Sequence, residues 1–298
     1  MSDSIRRFEW EDALPGLRSD EFVVKVTDAA IFAYQDATGD TSRETAGARV
    51  APPGYVFVAA PQRRHALMAS VGCRAPEQDP EEPRSTPYVG SDVRFHRAIK
   101  SGDTIRSVTV LDRTFERGSN RFVVFRVDAT NADGEPIAEY EYTCLWEQGS
   151  EGTPRSSSRS APAAIQDVRS RTGTVLVKAE TAETIAAYGR LPVGRPDDWM
   201  STHTNDEFAR TAIFGGAVNA GVATVGYTAQ WLDLVEQPGI LWSGGRFESR
   251  ALVPVKAGDD LQITGERRDT DSDLVYEIIA VNQSGATAFR SVATIPTA

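Results

Sequence analysis

The sequence contains the same pattern twice, and this duplication constrains the fold more than any other feature. FVVKVTDAAIFAY at 22–34 matches VLVKAETAETIAAY at 175–188, each an apolar strand ending in Lys, a cap and a helix ending in Tyr. HRAIKSGDTIRSVTVLDRTF at 96–115 matches LVPVKAGDDLQITGERRDTD at 252–271, and residues 122–145 match 274–295. Three matched pairs in the same order indicate an internal repeat, because chance similarity between strand-rich segments explains one pair but hardly three.

Each half predicts a strand, a short helix, a longer helix, and then three or four antiparallel strands. We expect the longer helix near Gly54–Gly72 in the first half, with Pro61 near its start or at a kink, and near Gly216–Leu234 in the second. The strands alternate apolar and polar residues, which is typical of a sheet with one solvated face. One helix cupped by an antiparallel sheet, present twice, predicts an α+β double hotdog with a continuous sheet.

The predicted domain boundaries follow from the repeat and from composition. Residues 1–147 form the first hotdog unit, residues 148–172 form a linker rich in Ser, Pro, Gly and Arg, and residues 173–298 form the second unit. A second Pro-rich stretch, RAPEQDPEEPRSTP at 74–87, interrupts the first half. We expect an acidic surface loop there in preference to a lid.

Composition excludes several classes of partner. The formal net charge is −10, so there is no basic surplus to neutralise the phosphates of a nucleic acid. No uninterrupted apolar run approaches the roughly 18 residues of a membrane span, which predicts no membrane partner. Two cysteines favour a reducing compartment, and we expect a cytoplasmic protein. The sequence shows no metal-ligand cluster and no Gly-rich phosphate cradle, so we expect neither a metal nor a cofactor.

The stretch DWMSTHTNDEFARTAIFGGAVNAGVATVGY at 198–227 carries the candidate chemistry. Asp198 and His203 lie five positions apart, just before an apolar helix that small residues open. An Asp and a His that hold one water can activate it for addition to a double bond and return a proton to Cα. The enolate that develops on a thioester needs donors, and helix N-terminal N–H groups supply them. The predicted oxyanion and substrate residues are Gly216, Asn219, Ala220 and Gly221, with the Ala220 N–H best placed.

Structural roles compete with these catalytic ones. Asp198 could cap a turn, and His203 could be a half-buried structural histidine. Asn219 could orient a carbonyl or a water, or simply begin the helix. Of the other two histidines, His96 is expected in a surface or cross-strand role. His65 is expected to be structural, and the alternative is that it lines a tunnel that holds the substrate.

The second half resembles the MaoC-like, (R)-specific enoyl-CoA hydratase family, whose motif is Asp-x-Asn-Pro-x-His followed by x-Asp-x-x-Phe/Tyr-Ala. Asp198 and His203 stand at the motif's Asp and His, and Glu207, Phe208 and Ala209 fit the downstream segment. The chain departs from the motif at four positions: Met200 replaces Asn, Ser201 replaces Pro, and Asn219 and Ala220 replace a later His-Gly.

The first half resembles the FAS1-like dehydratase domain that partners such units. ATGD at 37–40, VAPPGY at 50–55 and the Lys-Ser-Gly-Asp strand entry carry this likeness. No histidine follows Asp40 in TSRETAGARVAPP, so we expect this copy to be degenerate and to build the acyl tunnel.

The resemblance implies a hydro-lyase. It would hydrate a trans-2-enoyl thioester to the (R)-3-hydroxyacyl form, or catalyse the reverse dehydration, on an acyl-CoA or acyl-carrier-protein substrate. Two alternatives stay open: a hotdog thioesterase, and a divergent double hotdog protein that binds or converts a polyketide-like or acyl thioester by other chemistry. A double hotdog is already a pseudo-dimer, and a further homodimer is compatible with the sequence.

Overall fold

The computed structural model describes residues 5–40, 49–149, 173–191, 194–195, 201–268, 270 and 272–297. Within these ranges the strands are β1 Arg6–Arg7, β2 Phe22–Lys25, β3 Cys73–Arg74, β4 Tyr88–Phe95, β5 Thr104–Arg117, β6 Asn120–Thr130, β7 Pro136–Glu147, β8 Leu176–Ala179, β9 Arg246–Ala251, β10 Asp260–Arg267, β11 Asp273–Asn282 and β12 Thr287–Pro296. The α-helices are α1 Asp28–Thr38, α2 Val56–Ala59, α3 Arg64–Ser70, α4 Ala182–Gly189, α5 Asp206–Thr211 and α6 Gly221–Val235. Short 3-10 helices span Trp10–Asp12, Pro53–Tyr55, Pro76–Gln78 and Ile240–Trp242.

Ten strands form one sheet in the order β2-β5-β6-β7-β4-β9-β12-β11-β10-β8. The order reads the same from either end once each strand is replaced by its repeat counterpart. The halves meet where β4 pairs antiparallel with β9, and Arg246 makes a two-pronged salt bridge across this seam to Asp92, with N···O distances of 2.9 and 2.5 Å. The predicted double hotdog fold with a continuous sheet is confirmed.

The repeated strand–cap–helix segments have the same local geometry. The side chain of Thr27 accepts a hydrogen bond from the Ala30 N–H at the start of α1, and that of Thr181 does so from the Thr184 N–H at the start of α4. The Lys-x-Gly-Asp turns also match, because the Lys100 and Lys256 N–H groups each bond an aspartate side chain three residues on, at 2.8 Å. A threonine N-cap satisfies a helix N–H that otherwise lacks a partner.

Both predicted long helices differ from the structure. The second-half helix begins at Gly221, five residues later than Gly216, because Val218 is held in extended pairing with Lys256. In the first half the predicted helix over 54–72 is three short pieces, with a break between Ala59 and Arg64. Pro61 lies in that break, where its ring and missing N–H prevent the helix from continuing.

The helix α6 and the Pro53–Tyr55 3-10 helix of the first half approach each other closely at two glycines. Gly54, in the first half, and Gly226, on α6, both lie against the hydroxyl of Tyr34, and a Cβ on Gly54 would come within 2.8 Å of the Gly226 Cα. Tyr34 is fully buried and its ring meets Tyr55 and Tyr188 edge-on. This close crossing joins the two halves into one hydrophobic core.

A second, smaller core lies under the N-terminal segment. Phe8 and Trp146 pack edge to face within it, beside the free, buried cysteines Cys73 and Cys144. The proposed linker at 148–172 lies almost wholly outside the described residues, so the domain boundaries stay a prediction. Within the part of the chain that the structure describes, we find no helix long and apolar enough to cross a membrane.

Candidate active site

The loop that carries His203 is fixed by its own polar residues. The Ser201 hydroxyl accepts from the His203 N–H at 3.1 Å, and the Ser201 carbonyl accepts from the Asn205 N–H at 3.0 Å. The Asn205 side chain then caps α5 by accepting from the Phe208 N–H at 2.8 Å. Ser201, where the family motif has proline, therefore replaces a rigid ring with a hydrogen-bonded turn.

His203 is held in the form that a general base requires. Its Nδ1 lies 2.6 Å from the Val218 carbonyl oxygen. A carbonyl only accepts, so Nδ1 carries the proton and Nε2 keeps its lone pair. Burial lowers the pKa of His203 to about 4, against the opposing effect of the Val218 carbonyl, and Arg195 lowers it further. The imidazole is therefore neutral at pH 7 and able to take a proton from water.

The turn Val218–Asn219–Ala220 sets the start of α6. The Asn219 N–H donates to the Val255 carbonyl at 2.8 Å, and Ala220 is the N-cap in extended conformation. None of the described residues accepts from the backbone N–H of Ala220 or Gly221. Gly221 must lack a side chain because a Cβ there would overlap the ring of Tyr88. Free N–H groups at a helix N-terminus, with the helix dipole behind them, can stabilise a developing oxyanion.

A buried carboxylate lies beneath this turn. Glu180 is 2% exposed, and its Oε1 accepts from the Asn219 side-chain amide at 3.0 Å. Its Oε2 accepts from the Thr184 hydroxyl at 3.3 Å, and Tyr227 is a further hydrogen-bond partner. Burial raises the pKa of Glu180, and these donors act in the opposite direction. The Asn219 amide nitrogen is therefore tied to the buried Glu180 carboxylate.

The site opens on a cavity of about 190 Å³ between the two halves. His203, Asn219, Ala220 and Gly221 line it from the second half. The first half contributes His65, the Arg64–Glu77 pair and an aromatic wall; its aromatic members are Phe57, Tyr88, Tyr140 and Tyr142. A pocket lined by aromatic and other apolar side chains, with polar groups from each half, is typical of a site for a small organic ligand.

The stretch at 74–87 is divided between the surface and this wall. Residues 80–83 are exposed, as expected of a surface loop, whereas Glu77, Ser85, Thr86 and Pro87 line the cavity. Glu77 is 7% exposed because it forms a salt bridge with Arg64 and accepts from Thr86. A carboxylate can be buried only when such partners compensate the lost hydration, and here Arg64 supplies the charge.

His65 also lies in the wall, which agrees with the tunnel alternative. Its Nε2 lies 3.2 Å from the Gly194 carbonyl, so Nε2 carries the proton there. Burial, with Arg63 next, lowers the pKa of His65 to about 4. His96 is exposed and its Nε2 lies 3.9 Å from Glu139 on a neighbouring strand, which agrees with the predicted cross-strand position.

The predicted site residues are placed as follows. His203, Asn219, Ala220 and Gly221 meet at the cavity, whereas Gly216 lies in the preceding turn and is not part of its lining. Asp198 lies outside the described residues, as does Met200, and their roles stay predictions. Among the residues that are described, no group of three His, Cys, Asp or Glu side chains is arranged to hold a metal ion.

Glu180 is the residue that the sequence analysis overlooked. The repeat contained the signal for it, because Glu180 stands where the first copy has Val26. A buried carboxylate in place of a core valine, just after the edge strand β8, marks a position that packing alone does not explain.

The equivalent turn of the first half cannot offer the same donors. Val50 pairs with Lys100 as Val218 pairs with Lys256, so Ala51 corresponds to Asn219 and Pro52 to Ala220. Pro52 and Pro53 have no N–H groups, so the two positions that match Ala220 and Gly221 have nothing to donate to an oxyanion.

Residues 13–140 match the family model of the FAS1-like dehydratase domain region. No curated protein matches the sequence. Similar solved structures include a MaoC-like dehydratase from Phytophthora capsici, 16% identical over 97% of this chain and 98% of that one, with a TM-score of 0.69.

HtdX from Mycobacterium tuberculosis is 16% identical over 93% of this chain and 99% of that one, with a TM-score of 0.65. A conserved protein of the same organism, described as having a double hotdog fold, is 14% identical over 98% and 99%, with a TM-score of 0.62. The chain therefore has the fold of the MaoC-like dehydratases, with a FAS1-like dehydratase region in its first half.

Proposed function

We propose that this chain, a double hotdog protein with a FAS1-like dehydratase region, is a hydro-lyase acting on acyl thioesters. The observation that carries the proposal is the neutral His203, whose Nδ1 is hydrogen-bonded to Val218, beside the Ala220 and Gly221 N–H groups, which have no acceptor among the described residues. The cavity therefore contains both a base that can activate water and N–H donors that can stabilise an enolate.

The reaction assigns a role to each group. Asp198 and His203 hold one water, whose oxygen adds to Cβ of a trans-2-enoyl thioester while its proton passes to Cα. The thioester oxygen, which carries negative charge in the enolate, accepts from the Ala220 and Gly221 N–H groups. The product is an (R)-3-hydroxyacyl thioester, and the reverse sequence dehydrates it. We propose that only the second half does chemistry, because Pro52 and Pro53 remove the matching donors from the first half.

The thioester carrier is either coenzyme A or an acyl carrier protein. The site needs no metal or cofactor for this chemistry, because base, acid and oxyanion donors come from the chain itself. The hotdog thioesterase alternative requires a carboxylate near the start of the central helix. On α6 the first acid is Asp233, whose carboxylate accepts from the Gly239 N–H at 2.7 Å at the far end of the helix. Glu180 lies close to the start of α6, but its carboxylate oxygens accept from Asn219 and Thr184, and it does not line the cavity.

The test is hydration of a panel of trans-2-enoyl-CoA and enoyl-carrier-protein thioesters, followed by loss of the conjugated absorbance. Asp198→Asn and His203→Ala should each lower kcat by about 10² to 10⁴, the usual contribution of a general base. Asp36→Asn and His96→Ala are matched controls, because they remove the same chemical groups at exposed positions outside the cavity.

Other outcomes identify the alternatives. Wild-type hydration rates in both Asp198→Asn and His203→Ala would overturn the assignment. Release of free thiol from a saturated acyl-CoA would indicate a thioesterase. Unchanged mass of every enoyl and hydroxyacyl substrate would favour a divergent protein with other chemistry.

A further inference from the structure

The two halves share one backbone frame but differ at two buried positions next to the site. Val26 and Glu180 occupy the same place: their N–H groups donate to the Asp103 and Asp259 carbonyls, each at 2.8 Å. Ala51 and Asn219 also correspond, with N–H bonds to Ile99 and Val255. The first half therefore has an apolar Val/Ala pair where the second half has a hydrogen-bonded Glu/Asn pair.

Stability alone does not explain the polar pair. Moving a carboxylate out of water is costly, and replacing a buried polar pair by well-packed apolar residues is often neutral or stabilising. The first half shows that the frame forms with valine and alanine at these positions. The polar pair is confined to the half that carries His203.

The Glu180 contact reaches the site through one short turn. Asn219, whose amide donates to Glu180 at 3.0 Å, lies between Val218 and Ala220. The Val218 carbonyl oxygen accepts the hydrogen bond from His203 Nδ1, at an N···O distance of 2.6 Å. Ala220, on the other side of Asn219, is the N-cap of α6. A tether on Asn219 therefore fixes the acceptor for His203 and the helix N–H donors together.

We infer that Glu180 is a positioning residue: by holding Asn219 it locks the Val218–Ala220 turn, and so sets the tautomer of His203 and the direction of the N–H donors. Its catalytic consequence depends on the proposed function, whereas its effect on His203 does not. Glu180 itself is outside the cavity lining and touches no substrate.

The variants follow from the repeat. Glu180→Val and Asn219→Ala each install the first-half residue, and the double variant reproduces the first-half pair. Glu180→Gln keeps an oxygen that can accept from Asn219, so it should rescue. Glu183→Gln is the matched control, because Glu183 is an exposed acid three residues further on, in the first turn of α4.

The first readout needs no substrate. The chain has three histidines, and NMR of histidine labelled with nitrogen isotope distinguishes their tautomers. In the wild type, His203 should carry its proton on Nδ1 and His65 on Nε2. In Glu180→Val the His203 signals should move to a mixture of tautomers, while His65 stays unchanged. Glu180→Gln and Glu183→Gln should match the wild type. An unchanged His203 tautomer in Glu180→Val overturns the inference.

The second readout is kinetic. Glu180→Val should lower kcat by about 10- to 100-fold, the scale of a misplaced catalytic group, with little change in KM. The double variant should be no slower than the worse single variant, because both act through one turn. If the losses of activation free energy in the two single variants added up in the double variant, Glu180 and Asn219 would act independently, which would contradict the inference. If the wild type shows no thioester activity, the proposed function fails, and the NMR comparison still decides the role of Glu180.

Discussion

At the residue scale, the site depends on which nitrogen of a histidine carries the proton. His203 donates from Nδ1 to a backbone carbonyl, and His65 donates from Nε2 to another. Both pKa values are lowered to about 4, in each case mainly by burial. Protonating either imidazole would place a second N–H, and a positive charge, in a cavity that Arg64 and Arg195 also line.

Stability should therefore fall in mild acid. The unfolded chain protonates His65 and His203 near pH 6.5, whereas the folded chain protonates these two residues only near a pKa of about 4. Between these values the unfolded state binds more protons, so the free energy of unfolding decreases as pH falls, by up to about 2 kcal/mol per histidine at pH 5. Urea unfolding of the wild type, His203→Gln and His96→Gln at pH 7 and pH 5 measures this.

Of the two substitutions, only that of His203 should change how much stability the protein loses between pH 7 and pH 5. His203→Gln should lose less stability than the wild type between the two pH values, and His96→Gln should lose as much as the wild type. Equal losses in all three proteins would show that His203 titrates normally in the folded state.

At the element scale, the crossing of α6 with the first-half helical segment depends on missing side chains. A Cβ on Gly226 would lie 2.5 Å from the Tyr34 hydroxyl, and no backbone atom obstructs it. A Cβ on Gly54 would also strike the Gly226 Cα at 2.8 Å. The obstacle at Gly226 is a hydroxyl that a substitution can remove. The obstacle at Gly54 includes backbone, which can shift only at a large cost in free energy.

Gly226→Ala should thus destabilise the protein by about 1–3 kcal/mol, the usual cost of overpacking. Tyr34→Phe removes the obstructing hydroxyl, which has no hydrogen-bond partner among the described atoms, so the double variant should recover most of the loss. Thermal unfolding checks both. Gly54→Ala should be destabilising even with Tyr34→Phe, whereas Gly216→Ala, with open space around it, is the neutral control. No recovery in Tyr34→Phe/Gly226→Ala would contradict this view of the crossing.

At the scale of the whole molecule, each half supplies what the other lacks. Lys178, from the second half, donates to the Thr38 and Gly39 carbonyls at 2.8 and 2.9 Å and so satisfies the end of α1. The Trp242 indole donates to the Ala51 carbonyl at 3.0 Å across the same boundary. The cavity likewise takes side chains from both halves, with His203 from the second and the Arg64–Glu77 pair from the first.

Separated halves should not persist as monomers. A fragment of residues 1–149 exposes the β4 edge, and one of residues 173–298 exposes β9, each a long unpaired strand next to uncovered core. Light scattering after gel filtration should show self-association or aggregation of each fragment alone. Co-expression should give a one-to-one complex with the circular dichroism of the intact chain. A monomeric, cooperatively unfolding half would disprove this interdependence.

The sequence determined the duplication, the strand and cap chemistry and the double hotdog fold, because these follow from local periodicity and from comparison of the chain with itself. It also marked His203, Asn219, Ala220 and Gly221 as candidates, and the structure brings these four to one cavity. Asp198 lies outside the described residues and stays a prediction.

Only the tertiary structure decided the rest. The helix predicted from Gly216 starts at Gly221, since pairing of Val218 with a distant strand overrides local helix propensity. Part of the acidic stretch at 74–87 lies in the cavity wall, because Arg64 forms a salt bridge with Glu77 and so allows it to be buried. The proton position on His203 and the tie from Glu180 to Asn219 join residues 15 and 39 positions apart, and no local pattern encodes such contacts.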